Sequence, residues 1–362
     1  MRRITSCLLL FSTLLGTPLL AAADPRYAVI AIGGADSYAN GINNLGQVVG
    51  SLSYGGDAHA FVWTDGVLTD IGLQVSGSSY AAAINDHGIV VGNGGSGGYV
   101  YSGGGVTTLP GDGMTANGIN NGGTIVGQMW YTAPDGELYR HGYSYLNGTV
   151  TDLGTLPIGD DSRAFGINSA GDIVGAAANV FNGAPNRPED PFLYHNGVMT
   201  SLGNFGGVWS GATAINDLGQ VVGFSGLFER PGSDQLYPAN AFLYDGGVLH
   251  NIGALSPLAD SAAYDINNLG QVVGISLLDG LTRAFLYDHG SMVDLNALID
   301  PASGWLVESA RGINDLGQIA ARACKDGICQ AVRLDLIPAV PEPPMVALLL
   351  AGVAFVGRRR VR

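Results

Sequence analysis

Seven copies of one short pattern run through this sequence and constrain its fold more than any other feature. Each copy starts with Ile-Asn, continues through two variable positions to Gly, and ends in a short run of Val, Ile or Ala. The starts of successive copies are spaced by about 35 to about 51 residues, a period typical of chains built from repeated structural units. The copies begin at Ile42, Ile84, Ile119, Ile167, Ile215, Ile266 and Ile313.

Each copy is interpreted as a β-hairpin. Asn and Asp tolerate tight-turn geometry, and glycine supplies the positive φ that a short hairpin loop needs. A second hairpin follows in each repeat, for example residues 241–244 and 248–253 around Asp245-Gly246-Gly247. Alternating apolar and polar positions in short runs bounded by glycine are typical of strands. The sequence therefore predicts an all-β fold of seven four-stranded repeats, in which each repeat has the strand content of a β-propeller blade.

The two ends of the repeat region indicate how such a ring would close. The last copy ends near Leu334 without a fourth strand, whereas residues 27–34 resemble the fourth strand at residues 248–253. An N-terminal strand that completes the last blade would close a β-propeller-like ring and leave no long sheet edge exposed. An open stack of repeats fits the repeat count equally well. Pairing of residues 27–32 with residues 331–334 would exclude the open stack.

Residues 1–23 have the three parts of a signal peptide. A charged start precedes an apolar stretch over residues 8–20, and three alanines precede Asp24. We therefore expect export by a Sec-type route, cleavage by signal peptidase, and a repeat domain that covers residues 24–337.

Charge limits the partners that this domain can have. The whole chain has a formal net charge of −14, and without its two ends it keeps ten basic residues against about thirty acidic ones. Such a surface favours solubility and repels phosphate backbones, so we expect no nucleic-acid partner.

Two cysteines remain in the repeat domain, Cys324 and Cys329, on either side of an Asp-Gly pair. A turn at this pair would bring the sulfurs together, so we predict a disulfide across a hairpin, in a compartment where disulfides persist. The rival interpretation is a metal-binding pair, although two thiols provide only half of a zinc site.

The C-terminal end combines a proline-rich break at residues 338–344, an apolar run at residues 345–356 and a cluster of arginines. The apolar run is short for a membrane span, but the arginines would hold it at the cytoplasmic side. In this order the three parts resemble the PEP-CTERM sorting signal of Gram-negative bacteria. The resemblance implies a hydrophobic helix that anchors the chain transiently in the inner membrane, cleavage by an exosortase, and delivery to the cell surface with extracellular polysaccharide. It rests on Val340, Pro341, Glu342, Pro343, Arg358, Arg359 and Arg360.

A second block also recurs, as Arg-Ala-Phe-Leu-Tyr at residues 283–287 and His-Ala-Phe-Val-Trp at residues 59–63. Together with the Ile-Asn hairpins, it makes residues 27–334 similar to the extracellular HAF repeat family, a resemblance that implies no particular activity. His-Ala-Phe itself occurs only once, so we interpret the triplet as a packing pattern. The aromatic residue that ends the block is interpreted as packing between blades rather than sugar stacking. It occurs as Trp63, Tyr101, Tyr145, Tyr194, Tyr244 and Tyr287.

The repeats differ mainly in the loop between their second and third strands. This loop is short at residues 51–59 and longer at residues 130–139, 179–190 and 227–240. Equivalent loops of a ring emerge on one face, where insertions often mark a binding surface, although tolerated insertions explain them equally well. Their charged residues include Arg187, Glu189, Asp190, Glu229, Arg230 and Asp234.

No catalytic, cofactor or metal site is predicted, because the sequence lacks a metalloprotease or serine-hydrolase motif in its required context. The position that holds Asp86, Asp217 and Asp315 holds Asn or Ser in the other copies, so we assign it to the turn. The sequence therefore predicts a structural or ligand-binding module at the cell surface or associated with exopolysaccharide. The alternative is an enzyme that acts on extracellular polysaccharide, with its site on the looped face or in the central channel.

Overall fold

A computed structural model describes residues 26–337 except 112, 135, 181–187 and 229–238. Twenty-eight strands form seven four-stranded antiparallel sheets, here called blades 1 to 7. The first strand, β1 (Tyr27–Ala31), belongs to blade 7. Blade 1 contains β2 (Tyr38–Ile42), β3 (Val48–Tyr54), β4 (Asp57–Thr64) and β5 (Val67–Asp70). Blade 2 contains β6 (Tyr80–Ile84), β7 (Val90–Gly94), β8 (Gly97–Ser102) and β9 (Gly105–Thr108).

The remaining blades repeat this order. Blade 3 contains β10 (Gly118–Ile119), β11 (Ile125–Thr132), β12 (Leu138–Leu146) and β13 (Thr149–Gly154). Blade 4 contains β14 (Ser162–Ile167), β15 (Ile173–Ala178), β16 (Glu189–His195) and β17 (Val198–Ser201). Blade 5 contains β18 (Gly206–Ile215), β19 (Val221–Leu227), β20 (Ala239–Asp245) and β21 (Val248–Gly253). Blade 6 contains β22 (Ser261–Ile266), β23 (Val272–Leu278), β24 (Leu281–Asp288) and β25 (Ser291–Asp294). Blade 7 adds β26 (Leu306–Ile313), β27 (Ile319–Lys325) and β28 (Ile328–Leu336) to β1.

The ring closes through the first strand. β1 pairs with β28 from Tyr27 opposite Leu336 to Ala31 opposite Val332, and the Ile32 N–H continues the ladder to the Ala331 carbonyl. The predicted seven-bladed, all-β propeller is confirmed. This pairing also excludes the open stack.

The core is divided into seven clusters, each shared by two neighbouring blades. Phe61 and Trp63 of blade 1, for example, pack with Ala320 and Ala331 of blade 7. The last residue of the His-Ala-Phe-like triplet, Phe or Tyr, is fully buried in blades 1 to 6, and the aromatic residue two positions later packs in the same clusters. Both positions therefore stabilise contacts between blades, as predicted.

Two positions on the inner pair of strands of each blade are restricted to small residues. The position three residues before each Ile-Asn pair is alanine in all seven copies, and every one of these alanines is buried. On the next strand a Cβ added to Gly50 would lie 1.8 Å from the Tyr38 carbonyl oxygen, so a side chain is excluded there. These residues are Ala39, Ala81, Ala116, Ala164, Ala212, Ala263 and Ala310.

Helical structure in the described chain is limited to the 3₁₀ turns Gly72–Gln74, Leu295–Leu298 and Pro301–Ser303. None of these is long and apolar enough to cross a bilayer. The signal peptide expected at residues 1–23 lies outside the described residues. The sorting signal expected at residues 338–362 does so too.

Cys324 and Cys329 face each other across the hairpin between β27 and β28, and their sulfur atoms are bonded. The two turn residues, Asp326 and Gly327, both have positive φ. Glu308 lies close to the sulfurs, but its carboxylate binds the Arg322 guanidinium at 2.6 Å. A disulfide provides no thiolate, so this group does not form a zinc site as it stands.

Candidate ligand site in the central channel

The ring has two unlike faces. Because strands within a blade are antiparallel, the Asn-x-Gly turns lie on one face, here called the turn face. The hairpins between the second and third strands lie on the opposite face, here called the loop face, together with the connections between blades. The variable loops therefore share a face, as expected. In blade 1 the loop is much shorter than residues 51–59, because β3 and β4 are joined by Gly55-Gly56 alone.

The charged residues of the long loops are described only in part. Glu189 on β16 forms an ion pair with Arg163 on β14, across the intervening strand β15. Asp190 is buried and accepts hydrogen bonds from the Asn179 and Asn204 amides at 3.1 and 2.5 Å, and from the Ser201 hydroxyl at 2.7 Å. Both carboxylates therefore hold the blade together. The other four, Arg187, Glu229, Arg230 and Asp234, lie outside the described residues.

On the turn face, the asparagine of every Ile-Asn pair binds the next blade, and the seven form what we call the amide ring. Each Nδ2 donates to the backbone carbonyl of the next asparagine, while Oδ1 accepts backbone N–H groups of its own turn, such as those of Leu218 and Gln220 for Asn216. The distances are 2.9 Å from Asn43 to Asn85, 3.1 Å from Asn85 to Asn120, 3.0 Å from Asn120 to Asn168, 3.2 Å from Asn168 to Asn216, 3.0 Å from Asn216 to Asn267, 3.0 Å from Asn267 to Asn314 and 2.9 Å from Asn314 to Asn43.

The next residue of each copy also contacts its neighbour, which the assignment to the turn alone did not anticipate. The backbone N–H of Asn44 donates to Asp86 at 2.8 Å, for example, and the Asn121 amide donates to the other Asp86 oxygen at 2.9 Å. No two carboxylates are neighbours in this ring, which we call the rim ring, so each is flanked by hydrogen-bond donors. Its members are Asn44, Asp86, Asn121, Ser169, Asp217, Asn268 and Asp315.

The inner strands surround a cavity of about 620 Å³ that lies on the loop-face side of the Ile-Asn pairs. In six blades the strand pairing shifts register across the residue two positions before the isoleucine, so this residue sits in a β-bulge. Bulges re-aim side chains and are common beside functional sites. In all seven blades this residue lines the cavity, and we call the set the channel ring. Its members are Asn40, Ala82, Asn117, Phe165, Thr213, Tyr264 and Arg311.

Three polar members of the channel ring are satisfied by the scaffold. The side chains of Asn40, Asn117 and Thr213 each donate to a backbone carbonyl of the next blade, at 2.9 Å in all three cases. These bonds alternate around the ring, from blades 1, 3 and 5. They reinforce the amide ring from the channel side.

The other large members differ from these three. The Arg311 guanidinium lies 4.8 Å from the centre of the Tyr264 ring, within the range of a cation–π contact. Arg311 is exposed, and no ion pair or hydrogen bond within the described part of the chain involves it. Burial raises the pKa of the Tyr264 hydroxyl, although nearby Arg311 opposes the shift. Phe165 contributes an apolar ring in blade 4.

Asp265 breaks the repeat pattern at the position that follows the channel ring. Every other copy has Gly or Ala immediately before the isoleucine. The Asp265 carboxylate accepts the backbone N–H groups of Ile313 and Ile266 at 2.8 and 2.9 Å, and it lines both the large cavity and a smaller one of about 190 Å³ on the turn face. Burial raises its pKa to about 7, and the nearby Asp315 charge adds to the shift. A carboxyl that titrates near neutral pH is thus placed at the floor of the channel.

Sequence reasoning missed one more set of contacts, between the first residue of the His-Ala-Phe-like block and the fourth strand. His59 binds Asp70 at 3.0 Å and His141 binds Asp152 at 2.9 Å, with the partner always eleven residues later. Burial alone would raise the pKa of Asp152, but hydrogen bonds from His141 and the Gly154 N–H lower it. The constant separation was the available signal. Other blades place Asp190 with Ser201, Asn240 with Asn251 and Arg283 with Asp294 at the same separation.

Comparisons with known proteins support the β-propeller fold and do not assign a function. No protein family and no curated protein matches the sequence. The β-propeller domain of the Trilobed protease from Pyrococcus furiosus, described as having an open velcro topology, superposes with a TM-score of 0.52 at 13% identity, over 74% of this chain and 86% of that one. The extracellular domain of a proposed hybrid two-component system from B. thetaiotaomicron gives 0.51 at 11% identity, over 87% of this chain and 40% of that one.

Proposed function

We propose that this chain is an exported β-propeller module that binds a ligand of the cell surface or its exopolysaccharide in the central channel. The sequence supports export through residues 1–23 and surface delivery through the C-terminal sorting signal. Signal peptidase and an exosortase are the partners of these steps. Residues 24–337 then constitute the working domain.

The observation that carries the binding role is the contrast between the channel ring and its surroundings. The positions before and after it are small in nearly every blade, whereas the seven positions of the channel ring hold six different residue types. One of them, Arg311, is exposed, lies over the Tyr264 ring and forms no ion pair within the described part of the chain. A cavity of about 620 Å³ that combines aromatic side chains with polar ones lies within the volume range of small-ligand sites, roughly 300–1,000 Å³.

The channel supports binding better than catalysis. Glycoside hydrolysis ordinarily needs two carboxyl groups on opposite sides of the scissile bond. Among the described residues that line the large cavity, Asp265 is the one carboxylate, and it already accepts two backbone hydrogen bonds. We therefore propose a binding module without enzymatic activity or a cofactor.

The test is a screen of the purified protein against the exopolysaccharide of its host, following both binding and the release of reducing ends. We expect binding without new ends. Phe165→Ala should weaken it at least about tenfold, because it removes an aromatic wall of the cavity. Phe228→Ala is the matched control, since Phe228 is an exposed aromatic residue outside the cavity. Release of ends would replace this proposal with an enzyme, and absence of binding would overturn it.

A further inference from the structure

We infer that the channel recognises an acidic saccharide, whose carboxylate is bound by Arg311 and whose ring lies against the aromatic walls. This inference rests on the proposed binding function and adds the chemical class of the ligand. It concerns the loop-face cavity only, not the rim ring.

Arg311 is placed to bind an anion from outside the protein. The described ion pairs occupy Arg140, Arg163, Arg283, Arg322 and Arg333 with acidic side chains. Arg311, in contrast, is exposed and contacts the Tyr264 ring. A guanidinium presents a planar set of donors that matches a carboxylate in a two-point contact. The aromatic ring fixes the position of the guanidinium without consuming its charge.

The rest of the molecule explains why recognition must be by direct contact. The chain has a net charge of −14, so its overall field repels anions and cannot steer them into the channel. The Arg311 guanidinium can therefore attract a ligand carboxylate only at short range. A ligand is therefore favoured if the rest of it also contacts the channel and so holds its carboxylate next to Arg311.

Aromatic surfaces supply those remaining contacts. Tyr38 and Tyr80, on the adjacent blades 1 and 2, line the cavity with 41% and 46% of their surface exposed. Phe165 lines it from blade 4 and Tyr264 from blade 6. Flat apolar rings with polar edges suit the alternating CH and OH faces of a sugar ring.

Asp265 makes the recognition dependent on pH. Two backbone N–H groups bind Asp265 and the Asp315 carboxylate on the turn face adds to its raised pKa, while Tyr264 and Arg311 line the same cavity. When Asp265 is ionised, its charge repels a carboxylate bound in the same cavity. When it is protonated it can donate to a sugar oxygen, so we expect affinity to fall as pH rises through neutrality.

The experiment measures calorimetric binding of a short oligoglucuronate and of the same oligosaccharide after reduction of its carboxyl groups. We expect the acidic form to bind at least about tenfold more tightly, since hydrogen bonds to charged groups are worth more than neutral ones. Arg311→Gln should remove this preference and Arg311→Lys should keep part of it. Arg283→Gln, outside the cavity, is the control and should leave it unchanged.

The outcomes separate this inference from the proposed function. Equal affinity for both oligosaccharides, or a preference that survives Arg311→Gln, overturns the acidic ligand while leaving a channel-binding module in place if Phe165→Ala still weakens binding. No binding of either oligosaccharide or of exopolysaccharide overturns both. Affinity that stays constant on either side of pH 7, or a pH dependence that persists in Asp265→Asn, removes the role of Asp265.

Discussion

At the scale of single residues, Tyr99 and Tyr143 occupy the same place in neighbouring blades but have different hydroxyl environments. The Tyr143 hydroxyl donates to the Thr115 carbonyl at 2.6 Å. The Tyr99 hydroxyl is buried and has no hydrogen-bond partner among the described residues. A buried donor with no partner costs free energy, whereas a satisfied one contributes a modest net amount.

We therefore expect opposite results from the same substitution. Tyr143→Phe should lower the free energy of unfolding by about 1 kcal/mol, because it leaves the Thr115 carbonyl without its donor. Tyr99→Phe should leave stability unchanged or raise it. Urea denaturation of the two variants and the parent protein measures both effects. Equal losses would show that the Tyr99 hydroxyl is hydrogen-bonded after all.

Asp265 should give stability a distinctive pH dependence. Its pKa is about 7 in the folded chain, against an ordinary value of 3.8, so the folded state retains a proton that the unfolded state has lost. Stability from this group is therefore highest below about pH 4, falls as pH rises, and levels off above about pH 7. Relative to wild type, Asp265→Asn should gain on the order of 2–4 kcal/mol across this range, because one pKa unit corresponds to about 1.4 kcal/mol and the residue is only partly buried.

Asp152 provides a control of opposite sign. Its pKa is lowered in the folded chain, so its contribution is present above the ordinary value of 3.8 and is lost as pH falls below it. The stability difference between Asp152→Asn and wild type should therefore change only in the acidic range. Thermal unfolding of both variants and wild type across pH measures the two stability differences. If both differences changed over the same pH range, the raised pKa of Asp265 would be contradicted.

At the scale of the turn and strand, the amide ring joins every blade to the next. Asn216→Ala removes its bond to the Asn267 carbonyl and leaves two N–H groups of its own turn without their acceptor. Each lost or unsatisfied bond of this kind costs about 1 kcal/mol, so we expect destabilisation by about 2–3 kcal/mol in urea denaturation. Leu218→Ala, at an exposed position of the same turn, should change stability by less than about 0.5 kcal/mol. Similar effects of the two substitutions would contradict the role of the ring.

These elements show how far sequence reasoning could go. The strands, turns and blade count could be predicted because each is local and occurs seven times. The invariant asparagine was visible too, but its partner lies 35 to 51 residues away in most blades and 271 away at the closure. The residue after this asparagine is Asn, Asp or Ser. The choice looked arbitrary in the sequence, because the residue that it contacts in the rim ring belongs to another repeat.

The channel site was beyond prediction for a related reason. Phe165, Tyr264 and Arg311 are far apart in sequence and share only their position before Ile-Asn. On a regular strand, side chains alternate between faces, and the bulge that aims these residues at the channel cannot be read from alternation. Gly50 was the remaining sequence signal for the bulge, as were its equivalents in other blades. A glycine there allows the backbones of the two strands to approach closely beside the bulge. Asp265, an acid where other copies have Gly or Ala, was a signal that sequence reasoning did not use.

At the scale of the whole molecule, closure depends on β1. Removing residues 1–32 should deprive blade 7 of its outer strand and expose the edge of β28, which favours self-association. It also removes the buried Tyr27, so we expect a loss of about 3 kcal/mol or more in unfolding free energy. Removing residues 1–25, which precede β1, is the control and should change neither property. Size-exclusion chromatography and urea denaturation measure the two effects; a monomeric, equally stable 1–32 deletion would contradict them.

The register of that closing pair also sets how the ring responds to tension. Residues 26 and 337 leave the ring side by side, where the Ile337 N–H donates to the Arg26 carbonyl at 2.9 Å. A force that draws the two ends apart therefore breaks the hydrogen bonds between β1 and β28 one after another instead of all at once. The β1–β28 pair is thus the mechanically weak point of the ring. It would separate at low force, while the six blades formed from consecutive strands remain folded.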